Sequence, residues 1–241
     1  MSETAIVLGV GAEKGLGATL CRRFAKSGHH VVIGGRTPEK IERVADGIRG
    51  LGGAATAFQT DATSESAVIE LFQKAEAIGP VDLAIYNAGN NMPGDLLTME
   101  AEFFELCWRI ACFGGFLFGR EAARVMKPRG KGTLLFTGAS ASLRGKPFFS
   151  AFTAAKGGLR NFAQSMAREF GPQGIHVGHV IVDGGIAGDR IEKGRPEFAE
   201  ARGSDGLVDL EGIADIYDLL YHQPRAAWSH EIDVRTHKEA F

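Results

Sequence analysis

A single cation, Lys156, stands among small and apolar residues in the segment SAFTAAKGGLRNFAQSMAREFG, residues 150–171. Phe152 precedes it by four positions, so in a helix both side chains lie on the same face. A lysine that faces inward needs an acidic partner or a bound ligand, because a buried charge is costly when it is alone. Phenylalanine has no proton to exchange. The pair therefore raises the question of which partner, an acidic residue or a bound ligand, Lys156 meets beside an apolar ring.

Three glycines near the N-terminus, Gly11, Gly15 and Gly17, follow a Gly-xxx-Gly-x-Gly spacing around Leu16. They lie between the apolar run 5–10 and a predicted helix. Without side chains the backbone can approach a pyrophosphate closely, and the helix N-terminus adds N–H groups and a positive dipole. Between a first strand and a first helix, this trio predicts a dinucleotide site. The alternative is that the glycines serve only a tight turn.

The end of the second predicted strand bears on the choice between NAD(H) and NADP(H). An NAD site usually has an Asp or Glu there, which bonds the ribose 2′-hydroxyl, but this chain reads Gly34, Gly35, Arg36. Lys14 in the glycine loop adds a second cation, and two cations suit a 2′-phosphate. We therefore expect NADP(H) over NAD(H), unless both cations are solvated surface charges. Asp61, at the end of the third strand, is a candidate for the adenine or a simple turn residue.

The elements that must position these residues follow from the alternation of apolar runs with helical patterns. Runs rich in Val, Ile and Leu, separated by helices, are typical of parallel strands covered on both faces. We predict an α/β fold, a single Rossmann-type doubly wound parallel sheet of about seven strands with helices on both faces, forming one domain over 1–241. Strands are expected at 5–10, 30–35, 54–61, 81–89, 132–140 and 175–185, and helices at 15–27, 37–52, 64–79, 98–127 and 150–171.

The segment 186–206 is polar and has little periodicity. We expect a flap there, over the carboxyl edge of the sheet, where such folds bind ligands. Residues 207–241 then complete the domain with a helix near 209–222 and a last strand at 230–235.

Composition argues against several function classes. The net charge is −2 and charges of both signs are interspersed, which gives no general attraction to nucleic acid or to an anionic membrane. No apolar stretch approaches the roughly 20 residues of a membrane span, and no signal peptide is visible. Cys21, Cys107 and Cys112 have no metal-binding spacing. We expect a cytoplasmic protein without a metal.

At this point the chain resembles the short-chain dehydrogenase/reductase family. The resemblance depends on the glycine motif, on Asn87-Ala88-Gly89 after the fourth strand, and on Lys156. It implies a nicotinamide cofactor, hydride exchange between a carbonyl and an alcohol, and a homodimer or homotetramer packed through the fourth and fifth helices. In this family the lysine binds the nicotinamide ribose. The resemblance also brings Gly184 and Ile186, after the sixth strand, into the cofactor site.

The sequence departs from the family pattern where the family places its proton-transfer residues. Phe152 occupies the position of the general-acid tyrosine, so the active site is degenerate. The position of the family's asparagine falls near Ala111 or Cys112, neither of which can replace its hydrogen bonds. The family's serine stands about thirteen residues before the tyrosine, and the register here is open: Ala139 lies thirteen before Phe152, Ser140 twelve and Ser142 ten. Asp183 stands where the family usually has proline.

Three interpretations remain open. The chain is an oxidoreductase with a substitute acid, for which Asp183 is the first candidate, with Ser140 polarising the carbonyl and Lys156 donating through water. Alternatively, it binds the cofactor with little or no turnover, as a regulatory or scaffold protein. The third interpretation is a non-redox lyase or epimerase that uses Asp183 or a histidine. His176 and His179 are three apart on one strand, so they cannot both face the site.

Phe148 and Phe149 lie just before the helix that carries Lys156. The resemblance places family substrates over that loop, and together with Phe152 these rings would form an apolar site. We therefore expect a small-molecule carbonyl or alcohol substrate of apolar character.

Overall fold

The computed structural model describes residues 3–89 and 91–239. In it, seven parallel strands form one sheet in the order β3-β2-β1-β4-β5-β6-β7. This confirms the predicted doubly wound α/β architecture. The strands are β1 (Thr4–Leu8), β2 (His30–Gly35), β3 (Ala54–Gln59), β4 (Val81–Tyr86), β5 (Gly132–Ala139), β6 (Ile175–Asp183) and β7 (Glu231–Arg235).

Helices cover both faces of the sheet, and two buried apolar clusters fill the space between the layers. One cluster joins the sheet to α1, α2 and α9, and the other joins it to α3, α5 and α6. The helices are α1 (Leu16–Lys26), α2 (Pro38–Gly50), α3 (Glu65–Ile78), α4 (Ala101–Trp108), α5 (Gly114–Met126), α6 (Ser150–Phe170), α7 (Asp189–Glu192), α8 (Pro196–Arg202) and α9 (Leu210–His222).

The strands form where their sequence can be buried on both faces. Every residue of β1 and every residue of β6 is buried, as expected for central parallel strands. The chain crosses from β1 to β2 on one side and pairs β1 with β4 on the other. Because all strands run parallel, their carboxyl ends meet at one edge beside this switch point, where doubly wound folds bind ligands.

The predicted long helical stretch at 98–127 is confirmed as continuous helical chain from Ala101 to Met126, but it is not regular α-helix throughout. A π-helical turn, Arg109–Phe113, separates α4 from α5. The buried Tyr86 hydroxyl donates a hydrogen bond to the Ile110 carbonyl, and Gly114 leaves room because a Cβ there would overlap that hydroxyl. The π-helical turn displaces the Ile110 carbonyl, and the hydroxyl of Tyr86, 24 positions away along the chain, supplies its hydrogen bond.

The segment 186–206 contains two short helices, α7 and α8, which the sequence pattern did not predict. Its start is held to the domain by a bridge between Ile186 and Val208, and Asp189 N–H donates to the Lys14 carbonyl at 2.9 Å. The predicted flap thus contacts the glycine loop. Within residues 3–89 and 91–239, no helix has both the length and the apolar character needed to cross a bilayer.

Candidate active site

A cavity of about 420 Å³ opens at the carboxyl edge of the sheet. Every residue predicted for the cofactor lines it: Gly11, Lys14, Gly15, Leu16, Gly17, Arg36, Asp61, Asn87, Ala88, Gly89, Lys156, Gly184 and Ile186. Phe152 lines it as well. The catalytic candidates Ser140 and Asp183 do not belong to its lining.

The glycine loop leads from β1 into α1 and needs its glycines for close backbone packing. A Cβ on Gly17 would lie 3.0 Å from the Gly9 carbonyl oxygen and 3.1 Å from Asn87 Nδ2. On Gly11 a Cβ would meet nothing within 4 Å, because that position borders open space. The loop therefore fits a phosphate that approaches its N–H groups and the first turn of α1, which has no acidic residue.

Lys156 and Phe152 lie on one face of α6, as their spacing predicts. Lys156 is only 4% exposed, and its ammonium donates to the Thr137 carbonyl at 2.7 Å. Burial lowers the pKa of Lys156 from 10.5 to about 8. The ammonium lies 5.9 Å from the centre of the Phe152 ring. The cavity therefore contains a buried amine with a pKa lowered to about 8 beside an apolar ring.

Thr137, on β5, connects this lysine to the rest of the site through a set of contacts that the sequence did not reveal. Its hydroxyl donates to Asn87 Oδ1 at 3.0 Å and lies 2.6 Å from the buried Tyr217 hydroxyl. Asn87 in turn donates to the Gly9 carbonyl at 3.0 Å. The loop after β4 and the glycine loop are thus fixed by the same threonine.

The two cations predicted for a 2′-phosphate have different surroundings. Arg36 is exposed and has no ion-pair partner in the part of the chain that the structure describes. Lys14, in contrast, forms an ion pair with Glu192 at 2.6 Å. Asp61 accepts hydrogen bonds from the amide and hydroxyl of Thr63, each at 2.9 Å. It is therefore a turn residue that also borders the cavity.

Asp183 has a structural role, and the structure does not support its prediction as a substitute acid. Both of its carboxylate oxygens lie 2.9 Å from the Arg144 guanidinium, and Arg235 lies at 3.4 Å. An ionised carboxylate only accepts hydrogen bonds. The ion pair with Arg144 links β6 to the segment that follows β5.

Ser140 begins a short turn, Ser140–Ser142, in which Ser142 Oγ accepts the Ala139 N–H at 3.1 Å. This turn takes Ser140 past the end of β5 and out of the cavity lining, so the structure does not support its prediction as a catalytic residue.

The histidines of β6 face opposite sides, as predicted. His176 stacks on Trp228 with ring centres 4.8 Å apart, whereas His179 lies 3.0 Å from a Glu231 carboxylate oxygen. Neither lines the cavity.

At the expected asparagine position, Ala111 is fully buried and Cys112 is half-buried. The π-helical turn brings Ile110 into the cavity lining instead. Phe148 and Phe149 do not line the cavity, and Phe148 is 61% exposed. Phe152, beside Lys156, and Ile110 are thus among the large apolar side chains of the cavity lining.

A doubly wound sheet with a glycine-lined cleft at its switch point defines a Rossmann-type dinucleotide-binding protein. The sequence model for short chain dehydrogenases matches residues 5–194. The chain therefore belongs to the short-chain dehydrogenase/reductase family.

A gluconate 5-dehydrogenase of Gluconobacter oxydans is 30% identical over 168 residues, which cover 69% of this chain and 66%, just under two thirds, of that enzyme. A crystal structure of a short-chain dehydrogenase from Rhodopseudomonas palustris is 36% identical, with a TM-score of 0.84 over 98% of this chain and 99% of that one. A 7α-hydroxysteroid dehydrogenase complexed with NADH is 25% identical, with a TM-score of 0.86 over 96% of this chain and 92% of that one.

Proposed function

We propose that this protein is an NADP(H)-dependent oxidoreductase that interconverts a carbonyl and an alcohol, with Lys156 supplying the proton. The observation that carries this proposal is the position of Lys156, a buried amine with its pKa lowered to about 8, in the same cavity as the glycine loop. Family membership supports the oxidoreductase class, and one relative is itself named as a dehydrogenase of gluconate.

The residues present fit a nicotinamide dinucleotide. Gly11, Gly15 and the first turn of α1 would hold the pyrophosphate, and Lys156 would bind the nicotinamide ribose. When bound, the cofactor supplies the hydride. The packing of Gly17 against Gly9 and Asn87 supports this placement, since the loop backbone has no space for another side chain there.

Lys156 is the proton carrier that this cavity offers beside Phe152. Among the described residues that line it, the other titratable groups are Lys14, Arg36, Asp61, Arg190 and Arg195. Arginine stays protonated, Lys14 is paired with Glu192, and Asp61 is a turn residue. The protonated amine acts as the acid in carbonyl reduction, so reduction falls as pH rises through about 8.

The cofactor preference is tested by binding. Arg36, unpaired in the described part of the chain, meets the 2′-phosphate, so NADPH binds at least about tenfold more tightly than NADH. Arg36→Gln brings the two affinities together, whereas Lys14→Gln has the smaller effect because Glu192 already neutralises that ammonium. Titration of both dinucleotides, followed by protein fluorescence, measures this; equal affinities in the wild-type protein contradict the preference.

A second candidate, a cofactor-binding regulatory or scaffold protein with little turnover, has its own supporting observation. Phe152 provides no hydroxyl, and Asp183 and Ser140 lie outside the cavity lining. A screen of the wild-type protein with NADPH against a panel of ketones and aldehydes separates the two candidates. Turnover that declines above about pH 8 supports the Lys156 mechanism. Tight NADPH binding without turnover supports the binding protein.

The substrate's apolar character and the homodimer or homotetramer remain predictions. The apolar side chains of Phe152 and Ile110, both in the cavity lining, support the prediction of an apolar substrate. The residues considered for a lyase or epimerase, Asp183 and the histidines of β6, lie outside the cavity lining, where Asp183 pairs with Arg144 and His179 forms a hydrogen bond with Glu231.

A further inference from the structure

Two arginines of the flap border the cavity without an acidic partner. Arg190 lies in α7 and Arg195 immediately precedes α8, and both side chains line the same space as the glycine loop. Within residues 3–89 and 91–239, neither guanidinium forms an ion pair. Arg190 donates a hydrogen bond to the Asn91 carbonyl at 3.3 Å, a long contact to a neutral group.

The other cations of the flap, and Lys14 beside it, are neutralised. The pairs are Lys14 with Glu192 at 2.6 Å, Lys193 with Asp189 at 2.9 Å, and Arg202 with Glu239 at 2.6 Å. Acidic residues are therefore available in and around the flap, yet they pair with the cations that do not face the cavity, and with Lys14. The two guanidiniums leave an excess of positive charge inside the cleft.

The backbone fixes the start of the flap against the glycine loop. Asp189 N–H donates to the Lys14 carbonyl at 2.9 Å, and a Cβ on Gly188 would lie 2.7 Å from that same oxygen. Arg190 follows directly and reaches across to Asn91. Partial desolvation and the positive charge of Arg195 lower the pKa of Arg190 from its usual value, although much of the side chain remains accessible.

We propose that Arg190 and Arg195 bind one anionic group of a ligand in the cleft, a phosphate or a carboxylate. Each guanidinium can donate two parallel hydrogen bonds to such a group, and an anion relieves the repulsion between them. The proposal rests on the proposed function for the identity of the cavity. The anionic group is either the pyrophosphate of the cofactor or an acidic group of the substrate.

Arg190→Gln, Arg195→Gln and the double variant test this proposal, with Lys193→Gln as the matched control. Lys193 lies between the two arginines, carries the same charge, pairs with Asp189 and does not line the cavity. In low-salt buffer, NADPH and NADH are titrated by fluorescence. Levulinate and its neutral methyl ester are then titrated into the NADPH-loaded protein by calorimetry.

Two patterns support the proposal and identify the source of the anion. If the group is the pyrophosphate, each arginine variant weakens NADPH and NADH by the same factor, about tenfold, unlike Arg36→Gln, which affects NADPH alone. If it is a substrate acid, dinucleotide binding is unchanged, and levulinate binding falls while that of the methyl ester does not. Lys193→Gln behaves as wild type in both cases.

If the arginine variants bind both dinucleotides and levulinate with wild-type affinity, the proposed anion site is wrong. That result leaves the proposed function intact. A wild-type protein that binds neither dinucleotide overturns the proposed function instead. In that case inorganic pyrophosphate, titrated alone, decides the anion site: binding that the double variant loses supports it, and equal binding or none contradicts it.

Discussion

Phe152 is the residue that limits the proposed chemistry, because it stands beside Lys156 in the cavity and has no hydroxyl. Phe152→Tyr would place a phenol next to the ammonium, at the position that the family uses for its acid. General acid catalysis is worth about 10²–10⁴ in rate. We expect ketone reduction with NADPH to appear or to rise by about that factor, measured as NADPH consumption under saturating cofactor.

Phe149→Tyr is the control for that variant, because Phe149 is half-buried in the same loop region but does not line the cavity. It should leave the rate unchanged. A Phe152→Tyr protein that binds NADPH normally and gains no activity would show that the rest of the site no longer positions a carbonyl.

Burial of Lys156 should lower the free energy of unfolding, because the pKa of this amine is about 8 in the folded state and about 10.5 in the unfolded state. At pH 7 the amine is charged in both states, and the folded state bears the cost of burying it. Lys156→Met removes that cost and raises the free energy of unfolding by about 1–3 kcal/mol. The exposed Lys146→Met is the control and should change little.

The pH dependence of this effect has a definite sign. Between about pH 8 and 10.5 the unfolded chain binds more protons at Lys156 than the folded chain, so wild-type stability rises with pH there relative to Lys156→Met. Urea denaturation at pH 7 and at pH 10 measures the difference. If the advantage of Lys156→Met is the same at both values, burial does not shift the titration of this lysine.

Sequence reasoning at the residue level predicted which residues line the glycine-loop side of the cavity but missed the partners of its charges. The glycines, Asn87 and Lys156 line one cavity, as their spacing predicts. Each lies at the carboxyl end of a strand or on an inward helix face. The partner of Asp183, Arg144, is 39 residues away along the chain. Lys14 pairs with Glu192 across 178 residues. No local pattern reveals such pairs.

At the level of elements, the π-helical turn between α4 and α5 is the feature that a local pattern could not predict. Apolar periodicity runs through 98–127, whereas the hydroxyl that contacts the turn belongs to Tyr86 and reaches it from β4. Short helices α7 and α8 escaped prediction for the related reason that the flap is held by tertiary contacts. The remaining helices and strands ended within a few residues of their predicted bounds, because their patterns are local.

Tyr86→Phe tests whether that hydroxyl stabilises the turn. The variant leaves the Ile110 carbonyl without its donor in a buried setting, which costs about 1–3 kcal/mol of unfolding free energy. The measurement is urea denaturation. Binding of a ketone or aldehyde substrate to the NADPH-loaded protein should also weaken, because Ile110 lines the cavity. Unchanged stability would mean that α4 and α5 hold the turn without Tyr86.

For the whole molecule, the order of the strands determines where function can lie. The chain reverses direction of growth between β1 and β4, and the loops that leave these strands diverge there to open the cavity. Two of the charged residues in the cavity lining, Arg190 and Arg195, come from the flap, far along the chain from the glycine loop. The general location of the site was therefore predictable from the alternation of strands and helices, whereas the chemistry of its rim was not.

If the protein forms the predicted homo-oligomer, part of its outer surface must contact a second copy. A row of aromatic rings, Trp108, Phe113, Phe116 and Phe162, runs across α4, α5 and α6 with ring centres 5.8–6.0 Å apart. Trp108 is 40% exposed and Phe116 is 37% exposed. Two exposed rings beside two half-buried ones, Phe113 and Phe162, make this row the candidate surface for the predicted contact between copies.

If a second copy covers this aromatic row, Phe116→Glu places a charge in the middle of the contact and converts the protein to a monomer, because an unpaired buried charge is not tolerated there. Phe198→Glu is the matched control: Phe198 is 41% exposed on α8, away from the row, and its variant keeps the wild-type assembly. Size-exclusion chromatography with light scattering measures the mass of each. A wild-type protein that is already monomeric at micromolar concentration, or a Phe116→Glu variant that stays assembled, contradicts the use of this surface.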